Sequence, residues 1–392
     1  MMDKKNGLFF LMGWLGMVLY FTQRWIFGPV IPPLMREFGV DKTAIGVIGS
    51  ASLWGYMFTP IIAGIISDRY GRKLAVLAGI FAFSGLTLLC GLAKSTNQLF
   101  MGRFFTGIGE AFFFVPLLAF TLELFPKRPG FYLTLMSSGS SLGWFTGPAM
   151  AGWLVNLTGG WRSPFFVAGI AGLIITLFMY LLWPEDQGGL VQSRPLLDKN
   201  LFIPTNLVML ALLSLAAAFQ IATEFGFTMW YPAFLELERS AIVATAGVIA
   251  GLYGLGQFIG RPIMGWVSDK LGYRSVGFAG AAVLCLSLIL ILSVSSMGWR
   301  GYFTFQAGFI GAAVMGALWT FTGLVFPSFK GLALGIMATV GYASASIAPI
   351  VIGYLGDHHS VEMGLWLVCV PGSMLTGLVI LATFIVKPKG EG

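Results

Sequence analysis

The sequence predicts an all-α membrane protein with twelve transmembrane helices in two pseudo-symmetric six-helix bundles. Of its 392 residues, 57% are hydrophobic and only 10% charged, where a soluble domain carries about 25% charged residues. The apolar runs are about 20 residues or longer, enough to cross the bilayer as helices, and they lack the period-2 alternation of a membrane β-barrel. The third observation is an internal repeat. A constant shift of 201 residues pairs Gly64 with Gly265, Asp68 with Asp269, Gly71 with Gly272, Pro126 with Pro327 and Pro148 with Pro349.

Read in order, the spans fall at 7–33, 43–66, 74–94, 98–124, 131–156 and 163–184, then at 202–235, 241–267, 275–296, 299–325, 331–356 and 362–386. The first begins after a short basic segment that resembles a signal-peptide n-region. Its apolar stretch lacks a small-residue cleavage site and runs on to Pro33, so it reads as a retained helix. Between the sixth and seventh spans lies the longest polar connection, EDQGGLVQSRPLLDKN, with the composition of a linker. The organisation expected is therefore an N-terminal bundle (1–184), a cytoplasmic linker (185–200) and a C-terminal bundle (201–392). Tandem bundles of one topology are the parallel repeat of a rocking, alternating-access transporter.

Basic residues orient the chain. With both termini in the cytoplasm, the inner segments hold fourteen Lys and Arg, from Lys4 and Lys5 to Lys387 and Lys389. The outer loops hold six: Arg36, Lys42, Lys94, Arg162, Arg239 and Arg300. The positive-inside rule thus predicts a multi-pass protein of a cell (cytoplasmic) membrane with both termini cytoplasmic. The net charge of +7 belongs to that asymmetry and implies no nucleic-acid partner. Cys90, Cys285 and Cys369 all fall inside apolar runs without ligand spacing, and His358 and His359 read as outer-loop residues, so neither metal nor cofactor is expected. No phosphate-cradling lysine loop and no nucleophile with a base is present, which excludes an enzyme and an ATP-driven pump.

GIISDRYGRK (64–73) recurs in weaker form as GWVSDKLGYR (265–274). The glycines allow close helix approach and a tight turn, and Asp68 can bond the neighbouring helix end and basic side chains. Both copies resemble the signature loop of the major facilitator superfamily. That resemblance covers essentially the whole chain and implies a conformational gate at Gly64, Asp68, Arg69, Gly71, Arg72, Asp269 and Arg274. RFFTGIGEA (103–111) is similar to the fourth-helix motif of the same superfamily, with Glu110 added. Together with Tyr20 and Arg24 it most resembles the anion:cation symporters, with Gln23 standing where they often carry an acid, and the GIGEA string is also Spinster-like. Gly143, Gly147, Pro148 and Gly152 resemble part of a drug/proton antiporter motif, for which close helix packing is the plainer explanation.

A charge near mid-membrane costs about 2.5 kcal/mol or more, so Arg24, Arg103, Glu110, Glu224 and Arg261 each need a partner or a wet cavity. Tyr20 and Arg24 share a helical face, and the guanidinium suits a bidentate carboxylate. Substrate contact is expected at Tyr20, Gln23, Arg24, Tyr231, Gln257 and Trp319. Arg103 and Glu110, two turns apart, are expected to face one cavity, with Glu110 the first choice of proton carrier and Glu224 the second choice in its place. The leading expectation is a secondary transporter of a small organic anion, a carboxylate or sugar acid, coupled to protons or else sodium and active as a monomer in the lipid bilayer. The alternative is a proton-coupled exporter of amphiphilic drugs or lysolipids.

Overall fold

The computed structural model describes residues 4–184, 204–327 and 330–386. The linker expected at 185–200 lies outside them. The described residues are helical almost throughout, as fourteen helices: α1 (Lys4–Trp25), α2 (Phe27–Phe38), α3 (Lys42–Met57), α4 (Thr59–Tyr70), α5 (Arg72–Gly91), α6 (Thr96–Leu124), α7 (Pro129–Thr158), α8 (Ser163–Leu181), α9 (Pro204–Arg239), α10 (Val243–Leu271), α11 (Tyr273–Ser293), α12 (Met297–Val325), α13 (Lys330–His358) and α14 (Val361–Ala382). Two breaks turn twelve spans into fourteen helices. Pro29 has no N–H to give to the carbonyl of Trp25, where α1 stops, and Pro60 has none for Tyr56, where α3 is about to stop. Among the described residues ten stretches are long and apolar enough to cross a membrane, α3 and α4 counting as one. The α1–α2 pair and the serine-bearing α7 are the other two spans.

The ends carry ordinary stop and start chemistry. Asp41, Ser95 and Ser360 accept from the backbone N–H three residues on, at 2.7, 3.3 and 3.0 Å, capping α3, α6 and α14. Gly39 (φ +61°) and Gly159 (φ +69°) end α2 and α7 in the left-handed region. Large apolar side chains remain exposed along the helices, among them Phe58, Ile61 and Leu181. Lipid is the solvent that makes such faces stable.

Contacts divide the chain into two compact units, Met1–Gln192 with Leu235–Gly251, and Ser193–Phe234 with Leu252–Gly392. In the first, α6 is the hub for α3 and α5, while α1 lies on α7 and α5 on α8. In the second, α11 packs on α12 and α14.

The 201-residue repeat reappears as backbone geometry. A Cβ on Gly107 would sit 1.9 Å from the carbonyl of Ser52, and one on Gly308 1.9 Å from the carbonyl of Tyr253. Gly55 likewise meets the carbonyl of Phe104 at 1.9 Å and Gly256 that of Phe305 at 2.1 Å. Each contact maps onto its partner by the same shift, so each unit contains the same two glycine-against-carbonyl crossings.

The fifth-helix glycines do the same work locally. Gly143 and Gly147 face the backbone of α1, with Val18 O at 2.4 Å and Thr22 O at 2.9 Å from a built Cβ. Gly152 faces Val243 O at 2.5 Å. Close packing accounts for that motif. One expectation of this kind fails: a Cβ on Gly64 would meet nothing within 4 Å, so Gly64 is not a point of close helix approach here. Arg300, assigned from sequence to an outer loop, is 1% exposed in the first turn of α12 with its guanidinium 5.4 Å from the Phe234 ring.

Candidate functional site

The first unit places an ion pair in its interior. Arg24 stands in the last turn of α1, just before the break set by Pro29, and Glu110 stands mid-way along α6. Arg24 Nη2 donates to Glu110 Oε2, and the two side chains are 2% and 1% exposed. Gly107 and Gly109, the small residues of the GIGEA string, admit α3 and α5 against α6. Their built Cβ atoms would fall on Ser52 O at 1.9 Å and on Phe83 N at 2.8 Å. The glycines therefore bring α3 and α5 in beside Glu110.

Aromatic rings wall the guanidinium. Its Cζ lies 5.0 Å from the Tyr20 ring centroid, 5.2 Å from Tyr56 and 5.9 Å from Phe21, distances at which ring faces attract a cation. Tyr20 packs in turn on Phe83 and Phe114, at 5.9 and 5.7 Å. The result is a cation paired with a carboxylate inside a box of planar rings.

Two residues expected at this site are elsewhere. Gln23 turns away from Arg24 and ties α1 to α5 and α8: its Nε2 donates to Ala168 O at 2.9 Å and its Oε1 accepts from Thr87 at 2.7 Å. Neighbouring positions on a helix point about 100° apart, which is why Gln23 and Arg24 cannot share a face. Arg103 does not face Glu110's partner either. Its guanidinium donates to the carbonyls of Ile48 and Gly49, both at 3.2 Å, and lies 4.3 Å from the Phe27 ring. It fastens α6 to α3. Tyr56 is the residue that sequence reading missed. The repeat held a signal for it, because a shift of 201 carries Tyr56 onto Gln257, a residue the sequence places among the expected substrate contacts.

The second unit holds another buried polar cluster. Glu224 of α9 accepts from Gln220 Nε2 at 3.0 Å and from the Tyr253 hydroxyl at 3.1 Å. Arg261 donates to Gln257 Oε1 at 3.3 Å, one turn back along α10, so it points to this cluster rather than to Asp269. Tyr231 lies further along α9, stacked on Phe227 at 4.4 Å and hydrogen-bonded to Thr304 at 3.1 Å. Trp319 is half-buried on α12 and joins neither group.

At the signature loop, Gly71 (φ +96°) and Gly272 (φ +87°) take backbone conformations that favour glycine. Asp68 pairs with Arg72, which also donates to Glu123 Oε1 at 3.1 Å and Ser67 Oγ at 2.9 Å. Arg69 lies against the Tyr70 ring. In the second copy Asp269 accepts from the Tyr273 hydroxyl, and Arg274 lies 4.5 Å from the Phe321 ring. The acid has a basic partner in the first copy and a neutral one in the second.

The sequence model of the Major Facilitator Superfamily matches residues 13–239 and 213–392. The chain belongs to that superfamily. It is 28% identical over 353 residues to the cis,cis-muconate transport protein of Acinetobacter baylyi, a match covering 84% of this chain and 83% of the other. It is 26% identical over 351 residues to the 3-(3-hydroxy-phenyl)propionate transporter of Escherichia coli, covering 88% and 86%. Among solved structures it superposes with a TM-score of 0.78 on a bacterial homologue of the human lysosomal transporter Spinster in an inward-facing and occupied conformation, at 18% identity over 98% of this chain and 96% of that one. At that identity the likeness shows the fold alone. The family and these relatives are transporters, so the chain is a multi-pass membrane transporter and not an enzyme.

Proposed function

We propose that the protein carries a small organic anion across a cell membrane by alternating access, together with a proton, with the substrate carboxylate docking on Arg24. The observation that carries this reading is the Arg24–Glu110 pair inside its box of rings. A guanidinium in a span is kept only where it is paired or used. Protonation of Glu110 removes its charge, releases Arg24 and leaves the guanidinium free for the anion. Loss of that proton on the other side restores the ion pair and expels the cargo. One residue pair thereby makes anion and proton binding interdependent. The substrates for which those relatives are named, cis,cis-muconate and 3-(3-hydroxy-phenyl)propionate, are planar or ring-bearing acids, and the flat walls of Tyr20, Phe21 and Tyr56 suit such cargo better than a polyhydroxylated sugar acid. Tyr231, Gln257 and Trp319 are further candidates for substrate contact. The signature-loop residues serve conformational exchange, both termini are cytoplasmic, and one copy of the chain suffices.

The test is ligand-induced thermal stabilisation of the purified chain against aromatic carboxylates, dicarboxylates, sugar acids, lysolipids and cationic drugs. A ligand at 100 times its dissociation constant adds about 2.7 kcal/mol. Stabilisation by carboxylates in the wild type and not in Arg24→Gln supports the reading. Stabilisation by lysolipids or cationic drugs alone overturns it in favour of the amphiphile exporter.

A further inference from the structure

Among the described residues two acids are buried within spans, Glu110 at 1% and Glu224 at 4% exposure. The anion-binding reading uses the first and leaves the second idle. Their surroundings differ in kind. Glu110 is paired directly with a guanidinium, whereas the hydrogen-bond partners of Glu224, the Gln220 amide and the Tyr253 phenol with Gln257 beside them, are all neutral.

The repeat shows how this pocket is made. Shifted by 201 residues, Glu110 falls on Gly311 and Gln23 on Glu224. A Cβ on Gly311 would lie 3.3 Å from Glu224 Oε1 and 2.7 Å from the Tyr253 oxygen. The second unit has thus lost the side chain that carries the acid in the first, and the space so opened receives a carboxyl group from α9.

The hydrogen bonding of the cluster lacks one donor. Gln220 Nε2 is spent on Glu224, while Gln220 Oε1 is buried with no hydrogen-bond partner among the described residues. An amide oxygen and an ionised carboxylate both only accept. A carboxylic acid O–H on Glu224 is the kind of donor the cluster lacks. Turning the amide over would set its oxygen against the carboxylate, a contact that also requires a proton.

Among the described residues the neighbouring elements add one charge. α9 contributes Gln220, and α10 contributes Tyr253, Gln257 and, behind Gln257, Arg261. α12 presents Gly311. Tyr342 of α13 interacts with Arg261, and Cys369 of α14 interacts with Tyr253 and bonds the carbonyl of Thr223. Arg261 is the cation within electrostatic reach of Glu224, and it reaches the acid through an amide rather than by direct contact.

We infer that Glu224 is a second proton-binding site, separate from the Arg24–Glu110 pair, so that each organic anion crosses with two protons. This rests on the proton-coupled anion reading above. On loading, a proton from water forms an O–H bond to one Glu224 oxygen and the side chain goes from −1 to neutral. On release the same bond breaks and the proton returns to water on the other side. A monoanion moved with two protons carries one net positive charge per cycle.

Two measurements on the full chain in lipid test this, with the proton and 3-(3-hydroxyphenyl)propionate as probes. In pH-difference infrared spectra, Glu224→Gln removes one carboxylic-acid C=O band, Glu110→Gln removes a different one, and Gln220→Leu shifts the Glu224 band. Spectra of Glu224→Gln that match wild type overturn the proposal, as does an unmoved band in Gln220→Leu where Glu224→Gln does not fold. In proteoliposomes at zero membrane potential, each coupled proton multiplies limiting accumulation about tenfold per pH unit. Wild type then reaches about 100-fold and Glu224→Gln about 10-fold. About 10-fold for both overturns the second proton and leaves the Arg24–Glu110 reading standing. No pH-driven accumulation in wild type removes that reading, and the two-proton stoichiometry with it.

Discussion

Replacing Glu110 with Gln separates two consequences of the buried pair. The side chains of Arg24 and Glu110 are 2% and 1% exposed, so water cannot take over as Arg24's partner. Removing one member of a buried pair costs about 3–5 kcal/mol, mostly as an uncompensated charge. A coulombic estimate of about 4 kcal/mol at an effective dielectric of 20 falls in the same range. In the ligand-free protein the variant is therefore expected to be about 4 kcal/mol less stable. Carboxylate ligand then acts as the replacement partner. At 100 times its dissociation constant it returns about 2.7 kcal/mol, leaving a deficit of about 1 kcal/mol. Because wild type must break its own ion pair to bind, ligand stabilises Glu110→Gln more than wild type at neutral pH. The double variant Arg24→Gln/Glu110→Gln should recover stability relative to the sum of the singles, by up to about 3 kcal/mol of coupling. The assay is unfolding in detergent for the four proteins with and without ligand. Single-variant losses that add within about 0.5 kcal/mol, with equal ligand effects throughout, would refute the reasoning.

Arg103→Lys gives up the fork that reaches the Ile48 and Gly49 carbonyls; it is expected to lose about 1–3 kcal/mol of stability while carboxylate affinity in the same preparation stays unchanged. Gly107→Ala drives a methyl into the Ser52 carbonyl, which is backbone and cannot swing aside, so folded yield on size exclusion should fall sharply, whereas Gly64→Ala meets open space and should fold like wild type. Outside the spans, Glu37 bonds Arg162 through both carboxylate oxygens, at 2.6 and 2.7 Å, and these bonds hold its carboxyl below the usual 4.5. A depressed folded-state value contributes stability above the unfolded value and loses it as pH falls through the folded one. The difference in unfolding temperature between wild type and Glu37→Gln, worth at most about 1 kcal/mol for an exposed pair, should be present at pH 6 and shrink as pH falls below 4.5.

Much of the architecture was legible because membrane helices are written plainly. Apolar runs, prolines and a repeat constant to the residue specify spans and their doubling, and the glycine crossings of Gly107 and Gly308 show why that repeat is held. Arg24 and Glu110 were legible because a charge in a span is costly enough to be conspicuous. Partners were harder to read. Arg103 lies on the same helical stripe as Glu110, yet its long side chain reaches sideways to carbonyls of α3 that no sequence pattern announces. Gln23 was expected at the site because it stands where the anion:cation symporters often carry an acid, whereas the helical angle turns it to a different face from Arg24. Arg300 was lost to uncertainty in a span's end, since a shift of one turn decides between loop water and a buried ring contact. Tyr56 reaches Arg24 from another helix, and only the repeat linked it to a residue already chosen.

The central claim is that the anion takes Arg24 when a proton takes Glu110. The most direct measurement is the number of protons taken up per carboxylate bound, from calorimetric titrations of 3-(3-hydroxyphenyl)propionate in buffers of different ionisation enthalpy. The account predicts uptake on binding to wild type at neutral pH and one proton fewer for Glu110→Gln, whose affinity varies less steeply with pH than that of wild type. Binding to wild type with no proton uptake, or with the same uptake in both proteins, would contradict it.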